Sequence, residues 1–130
     1  MNKFFQFNEY VELGKLFRDC KAYLIALENF DKALKLSYLP ISKYRLLELF
    51  EQRGNINAHL VRYDKAIIDY SKAIEIEPEN IDLIMNRAIS YEFLNKDQLA
   101  LRDYEYAYYL NPKFELAKYM VDYLYKKLKN

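Results

Sequence analysis

An alanine, an aromatic four positions on and a second alanine three positions later occur three times in this chain. They are Ala26, Phe30 and Ala33, then Ala66, Tyr70 and Ala73, then Ala100, Tyr104 and Ala107. The second and third copies lie 34 residues apart, and each is followed at the same distance by a proline, Pro78 or Pro112. The first two lie 40 apart, so about six residues, 41–46, read as inserted. A fixed period of this length belongs to stacked supersecondary units, because one such unit cannot bury its apolar face alone. Equal steps upstream put Gly14, Gly54 and Ala88 in one slot and Tyr10, Phe50 and Ile84 in another, so both glycines of the chain share a slot. A small residue midway along one helix lets the next approach closely, while the alanines of that next helix make room for its aromatic. Apolar spacing near 3.6, as in Tyr10, Leu13, Phe17 and in Ile67, Tyr70, Ala73, Ile74, makes each unit a pair of antiparallel helices.

Composition narrows what such an array can do. With 52% hydrophobic and 30% charged residues, the 130-residue chain can bury a core and is expected to fold. Twenty Lys and Arg against nineteen Asp and Glu leave +1, far from the basic field that nucleic acid or an anionic membrane demands. One cysteine, Cys20, and one histidine, His59, permit neither an internal disulfide nor a Cys/His metal cluster. Two glycines cannot build a Gly-rich phosphate loop. Met1–Tyr10 has no signal-peptide pattern and no apolar run approaches membrane-spanning length, so the expectation is a soluble protein of a reducing, cytoplasmic compartment.

These slots resemble the tetratricopeptide repeat, whose pattern is an aromatic, Leu-Gly, Tyr, then Ala, an aromatic, Ala and Pro. The first copy matches at Tyr10, Leu13, Gly14, Phe17, Tyr23, Ala26, Phe30 and Ala33, with Pro40 two residues late. The second matches at Phe50, Gly54, Tyr63, Ala66, Tyr70, Ala73 and Pro78, but carries Arg53 and Asn57 where apolar residues belong. The third matches at Ala88, Tyr91, Ala100, Tyr104, Ala107 and Pro112, and departs at Arg87 and Asp97. The resemblance implies an all-α fold, a right-handed helix-turn-helix solenoid of about seven helices in a single domain, 1–130. Its units would be 7–40, 47–80 and 81–114, with 41–46 extending the first helix of the second unit and a capping helix at about 115–129. The expected helices are 7–19 with 22–36, 41–60 with 63–76, 81–93 with 98–110, and 113–129. Asn80 and Asp97 stand where helix N-caps would. An irregular loop at 41–46 is disfavoured because Tyr44, Leu46, Leu47 and Phe50 keep helical spacing.

A search for catalytic groups returns little. No motif surrounds His59, Cys20 reads as a core or turn residue, and the pairs Glu48 with Glu51 and Glu75 with Glu79 read as solvated faces. The expectation is a non-enzyme without cofactor or metal. Stacked helix pairs curve, and the first helix of each unit lines a concave surface suited to a peptide or a partner helix. That face is predicted to carry Asn8, Val11, Glu12 and Lys15, then Glu48, Glu51, Gln52, Asn55 and His59, then Asp82, Met85, Asn86, Ile89 and Phe93. Met85, Ile89 and Phe93 form a stripe that either anchors an apolar ligand or packs between units.

Similar repeats grip the acidic C-terminal tails of heat-shock chaperones with a carboxylate clamp of Lys, Asn and Arg. Here the clamp positions hold Val11, Lys15, Gln52, Asp82 and Asn86. Shifted by one unit they hold Glu51, Asn55, Asn86, Leu116 and Met120, so the cations are missing and no binding of such tails is expected. The last segment places Leu116, Tyr119, Met120, Tyr123 and Leu124 on one face, as a capping helix must; its five lysines against Glu115 and Asp122 leave a basic amphipathic contact as the alternative. Seven of fourteen tyrosines fall between Tyr104 and Tyr125; Tyr106, Tyr108, Tyr109 and Tyr125 exceed what the repeat requires and could drive homo-oligomerisation. Nucleic-acid binding through Lys126, Lys127 and Lys129 is the least favoured reading. The expected partner is a protein or peptide, with no nucleic acid and no membrane.

Overall fold

The computed structural model describes residues 2–130, and among these it contains helices and turns without strands. The helices are α1 (Lys3–Asp19), α2 (Tyr23–Lys35), α3 (Lys43–His59), α4 (Tyr63–Ile76), α5 (Ile81–Phe93), α6 (Asp97–Leu110) and α7 (Glu115–Lys129). The pairs α1/α2, α3/α4 and α5/α6 pack most extensively, consecutive pairs stack, and α7 lies on α6. This is the all-α solenoid expected from the repeat.

The first helix of each unit opens on a side-chain cap. Asn2 accepts from the Phe4 N–H at 2.8 Å, Ser42 from Arg45 at 3.3 Å and Asn80 from Leu83 at 3.1 Å. Asn2 lets α1 begin at Lys3, four residues before the expected start. Ser42 sets the insertion: α3 starts at Lys43, so most of 41–46 is helix, and Ile41 lies partly buried against the first core. Asp97 is not a cap. Lys96 holds that position without a side-chain bond, and Asp97 is the first residue of α6, paired at 2.9 Å with Lys127 of α7.

Each unit turns between its helices in one way. Lys21, Val61 and Asn95 adopt left-handed φ of 61°, 62° and 58°, and the next residue's N–H reaches back five positions: Ala22 to Phe17, Arg62 to Asn57 and Lys96 to Tyr91, at 2.8 to 2.9 Å. This closing pattern usually takes glycine, and none of the three is one. A β-branched side chain in that region is strained by about 1–2 kcal/mol, and Val61 is 70% exposed, so little packing offsets the strain. Val61→Gly is therefore expected to stabilise the fold by about 1 kcal/mol and raise Tm by roughly 3 °C. Thermal melts of the two proteins check it; an unchanged or lower Tm would mean the valine contributes packing that outweighs its backbone.

The core repeats with the units. Phe7, Val11, Ala26, Phe30 and Ala33 are closed by Leu49 and Ile56 of α3; Phe50, Ala66, Tyr70 and Ala73 by Leu83 of α5; Ile84, Ala88, Ala100, Tyr104 and Ala107 by Ala117 and Leu124 of α7. Leu49, Leu83 and Ala117 stand 34 residues apart, so α7 sits where the first helix of a further unit would.

Candidate partner-binding groove

Beside the apolar core, polar contacts tie α3 and α5 to their neighbours. Arg53 donates to Asp69 from Nε at 3.0 and 3.1 Å and from Nη2 at 2.6 Å; Asn57 Nδ2 donates to the same carboxylate at 3.0 Å, and Arg53 Nη1 reaches Asp31 on α2 at 3.2 Å. One unit on, Arg87 donates to Asp103 twice at 2.8 Å and from Nη1 to Ser71 on α4 at 3.1 Å. Both arginines occupy the slot of Leu13, both aspartates lie 16 residues later, and Asp31 and Ser71 share a slot on the preceding unit. Each guanidinium thus ties its own helix pair to the one before. The departures Arg53, Asn57 and Arg87 are half of an exchange whose other half is on the second helix. In the first unit the matching positions are Leu13 and Asn29, and Asn29 bonds its own helix at Ile25 instead.

This scaffold presents one face of α1, α3, α5 and α7. At its amino-terminal end Lys15 bonds Glu12 at 3.3 Å and Glu48 at 3.1 Å, and Arg45 reaches the same two acids at 3.4 and 3.0 Å. Arg18 bonds Gln52. Its cations are already engaged. Further on, burial pushes the Glu51 carboxyl above its usual range, and Glu77, Asp82 and Glu48 push it the same way. Asn55 accepts from the Tyr70 hydroxyl at 2.7 Å, and burial holds that hydroxyl well above the usual phenol range. Asn8 and Asn86 are half-buried. His59 is exposed with its ring 4.2 Å from that of Tyr23, while Cys20 is exposed at the end of α1.

Two residues predicted on this face belong to the core. Val11 is fully buried with Phe7 and Phe30, and Met85 is buried with Ala88 and Leu101. The stripe therefore divides: Met85 packs between units, whereas Ile89 and Phe93 remain exposed, Phe93 at 63%. The Phe93 ring stacks on Tyr63 at 4.6 Å with planes 3° apart, and Ile89, Glu92 and Phe93 border a cavity of about 240 Å³. Glu92 accepts from the Tyr104 hydroxyl.

The capping helix buries less than its predicted face. Ala117 and Leu124 are buried and Met120 and Val121 partly so, but Leu116, Tyr119 and Tyr123 stay exposed, Tyr119 at 65%. They stand one 34-residue step beyond Asp82, Met85 and Ile89, and that step is the signal that could have placed them on the face. At the far end Tyr106 and Tyr109 stack at 6.2 Å, and Tyr125 donates to Glu105 at 3.2 Å. Among the described residues no helix is long and apolar enough to cross a membrane.

No protein-family model matches the chain. It is 31% identical over 102 residues to sperm-associated antigen 1 of Mus musculus, covering 78% of this chain and 11% of that protein. It is 39% identical over 75 residues to tetratricopeptide repeat protein 36 of Caenorhabditis elegans, covering 57% of this chain and 42% of that one. The chain thus spans only part of either relative. Among solved structures, the first TPR of Spaghetti (RPAP3) bound to an HSP90 peptide superposes with a TM-score of 0.75 at 18% identity, over 96% of this chain and 94% of that one. Repeat signature, helix pairing and superposition agree: the chain has the fold of tetratricopeptide-repeat domains and resembles that family in sequence.

Proposed function

We propose that this protein is a non-catalytic interaction module that holds a partner peptide or helix on the face formed by α1, α3, α5 and α7. The observation that carries this is the exposure of Ile89 and Phe93 beside Leu116, Tyr119 and Tyr123: large apolar side chains on adjacent first-helix positions, left uncovered by a fold that buries their neighbours. A structural neighbour bound to an HSP90 peptide supports the mode of recognition. The division into units 7–40, 47–80 and 81–114 with a cap at 115–129 belongs to the same reading, as does a reducing, cytoplasm-like compartment, which suits the free thiol of Cys20.

Chemistry at the clamp positions argues against an acidic chain terminus as ligand. Val11 is buried, Lys15 is held between Glu12 and Glu48, and Asp82 is negative. Calorimetry with an acidic chaperone-tail peptide is expected to show no binding tighter than a Kd of about 1 mM, a binding free energy on the order of −4 kcal/mol; micromolar affinity would contradict the assignment.

The groove reading is tested by affinity capture from a lysate, with the wild type beside an Asn55→Ala, Asn86→Ala, Phe93→Ser variant shown to be folded by circular dichroism. Partners held by the first and lost from the second support it; partners held equally move the site elsewhere. The stacked, exposed Tyr106 and Tyr109 favour a second reading, self-association through the tyrosine-rich end. A monomer mass independent of concentration would remove it.

A further inference from the structure

Charge on the groove is distributed along its length. The cations at the amino-terminal end of the face, Lys15 on α1 and Arg45 on α3, are both engaged by Glu12 and Glu48. Among the described residues no lysine, arginine or histidine nitrogen lies within 4 Å of a carboxylate oxygen of Glu51, Glu77 or Asp82, at the junction of the second and third units. Burial raises the Glu51 carboxyl, and Glu77, Asp82 and Glu48 push it the same way. Beyond them the face turns apolar, with Ile89 and Phe93 on α5 and Leu116 and Tyr119 on α7.

Resting on the groove reading above, we propose that the α3–α5–α7 end of the face takes a basic amphipathic helix. Its apolar stripe would lie on Ile89, Phe93, Leu116 and Tyr119, and lysines or arginines at one end would meet Glu51 and Asp82. An extended strand alternates its side chains and offers a narrow apolar edge, whereas a helix offers a continuous stripe matching two rows spaced by three and four residues. An acidic helix would bring its charge against unpaired carboxylates, which disfavours that partner in the same stroke.

The probe is an 18-residue labelled peptide with leucines at helical spacing and four lysines at one end. Its controls are the same peptide with glutamates in place of the lysines and a scrambled peptide of the original composition. Fluorescence anisotropy is expected to show the lysine peptide binding at least about tenfold tighter than either control, with the preference shrinking as salt rises. Glu51→Gln with Asp82→Asn is expected to abolish the lysine preference. Phe93→Ser with Tyr119→Ser, both exposed and therefore compatible with folding, is expected to weaken binding about tenfold. Equal or tighter binding of the glutamate or the scrambled peptide, or no binding of any, overturns the proposal. If the glutamate peptide wins but the Phe93 and Tyr119 changes still remove binding, only the charge assignment fails; if binding is indifferent to those changes, the groove reading fails with it.

Discussion

Asp69→Ala is expected to destabilise the fold by about 3–5 kcal/mol, because it leaves a guanidinium in a mostly buried site without its carboxylate. Asp69 is wholly buried and accepts three contacts from Arg53 and one from Asn57, so the substitution leaves Arg53 with only its bond to Asp31 and the Asn57 amide without its acceptor. Loss on that scale is a large share of the 5–15 kcal/mol that holds a typical domain. The first unit offers the control, since its Leu13 and Asn29 fill the same two slots without charge. Arg53→Leu with Asp69→Asn imports that solution, keeps an acceptor for the Asn57 amide, and is expected to fall within about 1.5 kcal/mol of wild type. Urea unfolding of the single and double variants measures both. A single variant that loses under 1 kcal/mol would show that water replaces the carboxylate easily and that the pair contributes little to stacking.

Gly14→Ala is expected to cost about 2 kcal/mol even though alanine is the better helix former by about 1 kcal/mol. A Cβ at Gly14 would lie 2.7 Å from Cδ1 and Cζ of Phe30, a fully buried ring with nowhere to move. At Gly54 the corresponding Cβ would meet Tyr70 Cε1 at 2.9 Å and Asp69 Cβ at 3.2 Å. The overlap there is milder, so Gly54→Ala is expected to lose less, no more than about 1 kcal/mol. Phe30→Leu added to Gly14→Ala should recover part of the loss, by removing the ring atoms that clash. Equilibrium unfolding of the three proteins decides it; a Gly14→Ala protein as stable as wild type would mean that α1 and α2 separate without penalty.

Both expectations come from slots visible in the sequence, and the limits of that visibility are physical. Small and aromatic slots are legible because close helix approach leaves few residue types that fit, so Gly14, Gly54 and Ala88 announce the pairing before any coordinates. Arg53 and Arg87 look like violations when each helix is read alone, since a buried arginine is sensible only once Asp69 and Asp103 are placed opposite. Their common separation of 16 residues was the available signal. Val11 and Met85 lie on the helix face opposite the packing slots, and only the approach of the neighbouring helices decides which way such a position faces. The exposure of Leu116, Tyr119 and Tyr123 was hidden by a sound argument applied too widely: a capping helix must cover the last apolar face, but Ala117 and Leu124 suffice for that.

The Arg–Asp ties and the repeated turns fix the first helices as a preformed face, so binding would require little rearrangement of the backbone. The remaining question is where on the array a ligand sits. Backbone amide shift mapping during titration with the lysine-ended amphipathic peptide tests this most directly. The account predicts shifts concentrated on Glu51, Asn55, Asp82, Asn86, Ile89 and Phe93 and along Leu116 to Tyr123, with the outer faces of α2 and α4 unmoved. Shifts confined to those outer faces, or to Tyr106 and Tyr109 at the far end, would contradict it.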